Sequence, residues 1–208
     1  YGPSESTIAT SCTTNLGLTG SCTFSRYTLN LYTNFQVLGD LTISNAVVTV
    51  FCGMPSNVYV TGNVHIQTNG VLSHAANWAT EAYKLKLQVD GDMTIDPDGS
   101  INVDGKGYGR GQGPGRGSGG NNNNLAAGSY GGLSAEHPTP VVWKTYGSFL
   151  APTNCGSGGY GYGGGAVIAR VRGTTTVNGA IYSRSEYIGL AGGAGGSIFL
   201  TTGSLGGR

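Results

Sequence analysis

Gly39-Asp40-Leu41-Thr42-Ile43, Gly62-Asn63-Val64-His65-Ile66 and Gly91-Asp92-Met93-Thr94-Ile95 are three copies of one phrase, and Gly173-Thr174-Thr175-Thr176-Val177 is a fourth. Each is a glycine, any one residue, then two apolar or β-branched residues on alternate positions. Each follows a strand-like run: Phe35 to Leu38, Val58 to Thr61, Leu85 to Asp90 and Val167 to Arg172. Three copies continue through a short turn to a further apolar pair, Val71-Leu72, Ile101 with Val103, and Ile181-Tyr182. The first two spacings are 23 and 29 residues, a range in which internal repeats signal stacked architectures. Alternation of period two makes the repeating units strands. Leu41, Val64, Met93 and Thr175 are expected to stack on one face, with Ile43, Ile66, Ile95 and Val177 beside them. The predicted fold class is all-β: a parallel β-helix, or β-solenoid, with a long glycine-rich insertion and an N-terminal arm.

Upstream of the first copy, Tyr27, Leu29, Leu31, Thr33, Phe35 and Val37 alternate with Thr28, Asn30, Tyr32, Asn34 and Gln36. That is the pattern of a half-buried strand. Residues 1–38 therefore read as an N-terminal arm and first strand, and 39–208 as the repeat domain. The consecutive apolar run Ala46 to Cys52 suggests a strand covered on both faces. His74 to Lys84 breaks the pattern and reads as a helical turn or a capping loop. Asp-Gly pairs at 90–91, 98–99 and 104–105 mark tight turns. From about 105 to 165 glycine alternates with other residues, as at Gly107, Gly109, Gly111, Gly113, Gly115 and Gly117, before the pattern resumes at Ala166. Such a tract lets one backbone pack on another or run extended.

The composition narrows the function. With 208 residues, 38% hydrophobic, the chain can fill a continuous core. A formal charge of +1 with 10% charged residues offers no basic face for nucleic acid. No apolar run is long enough to insert in a membrane as a helix. The absence of an initiator Met before Tyr1 suggests a processed product or a fragment. Cys12, Cys22, Cys52 and Cys155 form no CxxC pair and fit no metal template. An even count in a charge-poor chain predicts two disulfides, Cys12–Cys22 and Cys52–Cys155, and an oxidising compartment. Buried thiols are the alternative.

Gly99-Ser100-Ile101-Asn102-Val103-Asp104-Gly105-Lys106-Gly107-Tyr108, the stretch Gly163 to Ile168 and the Gly195-Gly196-Ser197-Ile198-Phe199-Leu200 ending resemble modules of large glycine-rich parallel β-helix proteins of cell surfaces. The likeness covers residues 85–205 or so. It implies a secreted or surface-exposed β-helix and brings no catalytic residues with it.

Chemistry-bearing clusters are few. Asp90, Asp92, Asp96 and Asp98, with Asp104, would suit calcium if successive turns converged on one ion, although turn residues are the simpler account. No EF-hand loop, nucleophile elbow or phosphate-binding loop occurs. Asp40, Glu81, Glu136 and Glu186 stand singly. Arg170 and Arg172 share a strand face and would meet an acidic sugar or simply solvent. Trp78, Trp143 and the tyrosines of the glycine tract, Tyr108, Tyr130, Tyr146, Tyr160 and Tyr162, would stack on carbohydrate or pack on glycine backbone.

The sequence thus predicts a non-enzymatic, cofactor-free extracellular protein. Its expected role is the structural subunit of a filament, surface layer or matrix. It would self-assemble through solenoid ends and an N-terminal strand whose interface is Tyr27, Leu29, Leu31, Phe35 and Val37. The first alternative is a polysaccharide-binding adhesin domain, for which aromatics grouped in one groove would speak. The second is a polysaccharide lyase or hydrolase, for which converging carboxylates would speak.

Overall fold

The computed structural model describes residues 5–8, 15–52, 58–117, 126–134, 144–186, 188 and 191–208, with side chains from residue 17 onward. Its strands are β1 (Glu5–Ile8), β2 (Asn15–Thr19), β3 (Cys22–Ser25), β4 (Thr28–Leu31), β5 (Asn34–Leu38), β6 (Leu41–Ser44), β7 (Val47–Val50) and β8 (Val58–Val60). They continue as β9 (Val64–Ile66), β10 (Val71–His74), β11 (Leu85–Val89), β12 (Met93–Ile95), β13 (Ser100–Asn102), β14 (Ala166–Val177), β15 (Ala180–Tyr182) and β16 (Ser197–Gly207). The described residues are all-β: they contain no helix, and every strand pairing is parallel.

Through β13 three ladders each take up every third strand, and β14 and β15 then complete them. One runs β1-β4-β7-β10-β13-β15, a second β2-β5-β8-β11-β14, and a third β3-β6-β9-β12-β14. The long β14 joins the last two, pairing with β11 through Val167–Val171 and with β12 through Thr175–Val177. β16 then pairs along β14, with a register shift between Val171 and Thr174.

The phrase that repeats in the sequence is the unit of this register. Leu41, Val64, Met93 and Thr175 are direct neighbours across the ladder, as are Ile43, Ile66, Ile95 and Val177. All eight point inward, and all except the half-buried Val177 are almost completely buried. Phe35, Val58, Leu87 and Ala169 form a parallel column on the second ladder. Leu29, Val48, Leu72 and Ile101 do so on the first. Burying each Val, Leu, Ile, Phe or Met side chain of these columns contributes roughly 1.5–3 kcal/mol.

The glycine that opens each phrase has a steric cause. A Cβ on Gly62 would lie 2.6 Å from the carbonyl oxygen of Gly39, one on Gly91 2.7 Å from that of Gly62, and one on Gly173 2.8 Å from that of Gly91. Only a residue without Cβ lets successive corners stack. The second position, read from sequence as any residue, is constrained too. Asp40 Oδ1 accepts from Asn63 N (2.7 Å), Asn63 Oδ1 from Asp92 N (2.8 Å) and Asp92 Oδ1 from Thr174 N (2.6 Å). Each short polar side chain satisfies a corner amide of the next repeat that would otherwise lack a ladder partner.

The segment Tyr27 to Val37 is not one strand but two, β4 and β5, and its in–out alternation passes through the corner between them. Leu29, Leu31, Phe35 and Val37 are buried in the chain's own core, and only Tyr27 is exposed. β4 lies between β1 and β7, and β5 between β2 and β8. These residues therefore do not form the surface expected to meet a neighbouring copy.

Residues 103–165 contain no strand among those described. Here backbones hydrogen-bond irregularly to one another: Gly107 N to Gly163 O (2.7 Å), Tyr108 N to Gly156 O (3.0 Å), Gly156 N to Gly164 O (2.8 Å) and Gly164 N to Ala194 O (2.9 Å). A Cβ on Gly107 would lie 2.6 Å from Gly156 O, so the spacing of glycines sets how closely these segments approach.

Candidate functional site

The carboxylates grouped in sequence are dispersed in space. Asp90 Oδ2 accepts from the Tyr59 hydroxyl (2.5 Å), while Arg172 Nε lies 3.3 Å from Oδ1. Asp96 pairs with His65 Nε2 at 2.7 Å. Asp92 belongs to the corner column, and Asp98 is a turn residue with φ of 64°, a conformation Asp tolerates. Among the described residues no group of three or more His, Cys, Asp or Glu could hold a metal. The calcium candidate Asp90, Asp92, Asp96 and Asp98 is thus corrected to four separate structural roles. Arg170 and Arg172 are both exposed.

No disulfide joins Cys22, Cys52 and Cys155; Cys12, Glu136 and Trp143 lie outside the described residues. Cys52 belongs to the main core, whereas Cys155 sits in a separate small cluster with Tyr108 and Ala166. The expected Cys52–Cys155 bridge is not formed. The Cys155 thiol lies 3.7 Å from Tyr83 O and 3.5 Å from Asn77 Nδ2. Burial, with Glu81 close by, pushes its pKa far up, so it is an inert thiol.

A buried polar network surrounds that thiol and fastens the glycine-rich connection to the strands. Glu81 accepts from Cys155 N through Oε1 and from Asn154 Nδ2 (3.0 Å) through Oε2, and Lys84 Nζ lies 3.2 Å from Oε1. Asn77 shapes the loop by donating to Tyr83 O and Lys106 O, both at 2.9 Å, and accepting from Ala82 N and Tyr83 N, both at 2.7 Å. The segment from His74 to Lys84 is thus a loop organised by its own side chains. Tyr146 donates to Cys155 O (2.5 Å) and accepts from Ser157 Oγ (2.9 Å). Burial pushes the Tyr108 phenol up to about 12. His74, fully buried, donates from Nδ1 to Ala75 O (2.8 Å) and accepts at Nε2 from Ala166 N (3.1 Å). Burial lowers its pKa to about 4, so it is a neutral link between the end of β10 and the start of β14.

On the outer side of this junction the surface opens into a cleft of about 450 Å³ lined by Ala76, Asp104, Lys106, Tyr162, Ser185 and Glu186. Beside it Trp78 is 57% exposed, with its ring 5.9 Å from that of Tyr162. The Arg110 guanidinium lies over both Tyr160 (5.6 Å) and Tyr162 (5.7 Å). Gly109 makes room for the indole: a Cβ there would lie 2.8 Å from Cζ3 of Trp78. Asp104 is held by Arg184, whose Nε and Nη2 lie 2.8 and 2.7 Å from Oδ2. Arg184 also donates its backbone N–H to Asp104 Oδ1 (2.5 Å) and stacks on Tyr182 at 4.4 Å.

No protein family, curated protein or solved structure matches this chain. Sequence reasoning named Trp78, Tyr160 and Tyr162 among many aromatics without grouping them. It weighed Arg110 only as an RNA contact of the glycine tract, and it missed Lys106 and Ser185 as members of a site. Trp78 and Tyr162 sit on different segments, and no local spacing signals their meeting. Tyr108, Tyr130 and Tyr146, the other tyrosines named, pack inside the junction: Tyr146 lies 4.9 Å from Tyr130, and Tyr108 is buried.

Proposed function

We propose that the chain is a parallel β-solenoid and that it works as a structural building block of an extracellular filament, layer or matrix, assembling head to tail. The solenoid reading is supported by three ladders that each recruit every third strand through β13 and by corner glycines stacked on one another.

One observation carries the assembly reading, the match between the two ends. β16 runs along both parts of β14, and so along the two ladders that β2 and β3 begin at the other end. All strands of those ladders point the same way. Among the described residues β16 pairs only with β14, β2 only with β5, and β3 only with β6. A parallel edge of this kind is a template for strand addition. A second copy offering its β2 and β3 edges to β16 would extend both ladders, and a head-to-tail contact that does not close makes a filament. Ile198, 43% exposed, and Leu205, 66% exposed, add apolar surface to β16. The proposed interface thus moves from the buried Leu29–Val37 side chains to strand edges. The extracellular placement rests on the charge-poor, glycine-rich composition.

Light scattering after size-exclusion chromatography, with negative-stain images, tests the proposal on the 208-residue chain. Oligomers growing with concentration are expected, and Ile198→Lys with Leu205→Lys should shift them to monomer, since edge lysines oppose strand pairing. A monomer at every concentration, or a double variant that assembles like the parent, refutes it.

A further inference from the structure

We propose that the cleft beside Trp78 binds a neutral pyranose chain. Trp78 leaves more than half of a large aromatic ring in water, at a place where the backbone is fixed. Gly109 N donates to Trp78 O (3.0 Å), and the absence of a Cβ at Gly109 lets the indole rest against the backbone of the glycine tract. Tyr162 is fixed as well, with the Arg110 guanidinium 5.7 Å from its ring centre and the Trp78 ring 5.9 Å away. Two rigid aromatic rings lose little conformational freedom when a ligand arrives.

The lining selects the ligand. A pyranose ring has an apolar C–H face and an edge of hydroxyls that both donate and accept. The exposed Trp78 offers a face for the first, with the half-buried Tyr162 beside it. Lys106 and Ser185 supply donors, and Glu186 and Asp104 supply acceptors, for the second. A few convergent polar groups beside aromatic surface are what orients a small ligand in a pocket. The charges at the cleft balance: Arg184 neutralises Asp104, and Lys106 faces the same space as Glu186. With both carboxylates matched by cations, the cleft offers a polyanionic glycan no net positive charge, so an uncharged sugar suits it better. The volume of about 450 Å³ suits a short stretch of chain lying across the cleft, not a buried monosaccharide. This site is independent of the strand edges invoked for assembly.

Isothermal titration of the full chain with cellohexaose, xylohexaose and mannohexaose, and with hexagalacturonate for contrast, tests the proposal. Saturable binding of at least one neutral hexasaccharide is expected. Trp78→Ala should weaken it about tenfold or more while the chain stays folded, because more than half of the residue is exposed. Trp78→Phe should restore most of the affinity, and Glu186→Gln should weaken binding without altering assembly. The proposal is overturned if no neutral hexasaccharide binds, if Trp78→Ala binds as well as the parent, or if hexagalacturonate is preferred.

Discussion

Replacing Ile66 by alanine measures how rigidly the stacked columns are held. Ile66 is 0% exposed and sits in register between Ile43 and Ile95, themselves 0% exposed. The substitution removes three carbons, a transfer loss of about 2.4 kcal/mol at roughly 0.8 kcal/mol each. The space left behind cannot close by bringing the neighbouring strands together, because ladder hydrogen bonds fix them about 4.8 Å apart. A residual cavity adds about 24 cal/mol per Å³, and the expected total is about 3–4 kcal/mol. For a chain of this size that lowers the melting temperature by on the order of 10 °C. Urea and thermal unfolding followed by circular dichroism give the number. Thr94→Ala is the control: Thr94 pairs with His65 on the outward face, and its loss should cost less than about 1 kcal/mol. If Ile66→Ala falls within about 1 kcal/mol of the parent, or Thr94→Ala matches it, the column is not a packed core and the argument fails.

The corner glycines give a second outcome. Gly91→Ala, whose Cβ would press on Gly62 O at 2.7 Å, should cost about 1–3 kcal/mol in the same unfolding assay. Gly206→Ala, with nothing within 4 Å of the added carbon, should stay within about 1 kcal/mol of the parent; equal costs would refute the stacking explanation. Acid sensitivity supplies a third. The folded pKa of His74 near 4 lies below its ordinary 6.5, so the unfolded chain binds the proton first as pH falls. His74 therefore leaves stability intact above about pH 6.5 and withdraws it between 6.5 and 4, by up to about 3 kcal/mol. Urea midpoints across that range should show the slope and His74→Gln should flatten it; an unchanged slope in the variant would exclude His74 as its source.

Much of the strand register was legible before any coordinates. Ile43, Ile66, Ile95 and Val177 could be aligned because alternation and a corner glycine are local signals, and repetition fixes which residue meets which. The corner column of Asp40, Asn63, Asp92 and Thr174 was also written in the sequence. It went unread because each member looks like an ordinary turn residue until the amide of the next repeat lies beneath it. The inward alternation of residues 28–37 was read correctly, but whether it met its own core or another copy was not a local question.

Only the tertiary structure decided the path of the glycine-rich connection, the state of Cys155 and the cleft. Glycine carries no side chain, so a tract of it has no in–out pattern from which neighbours can be inferred. Cys155 is a thiol because residues 77–84 of one loop close around it, contacts made across more than seventy positions of sequence. Trp78 and Tyr162 become a pair only when their two segments fold against Gly109 and Arg110. Repeated local geometry can be read along the chain, whereas a site assembled once from distant segments exists only after packing has brought them together.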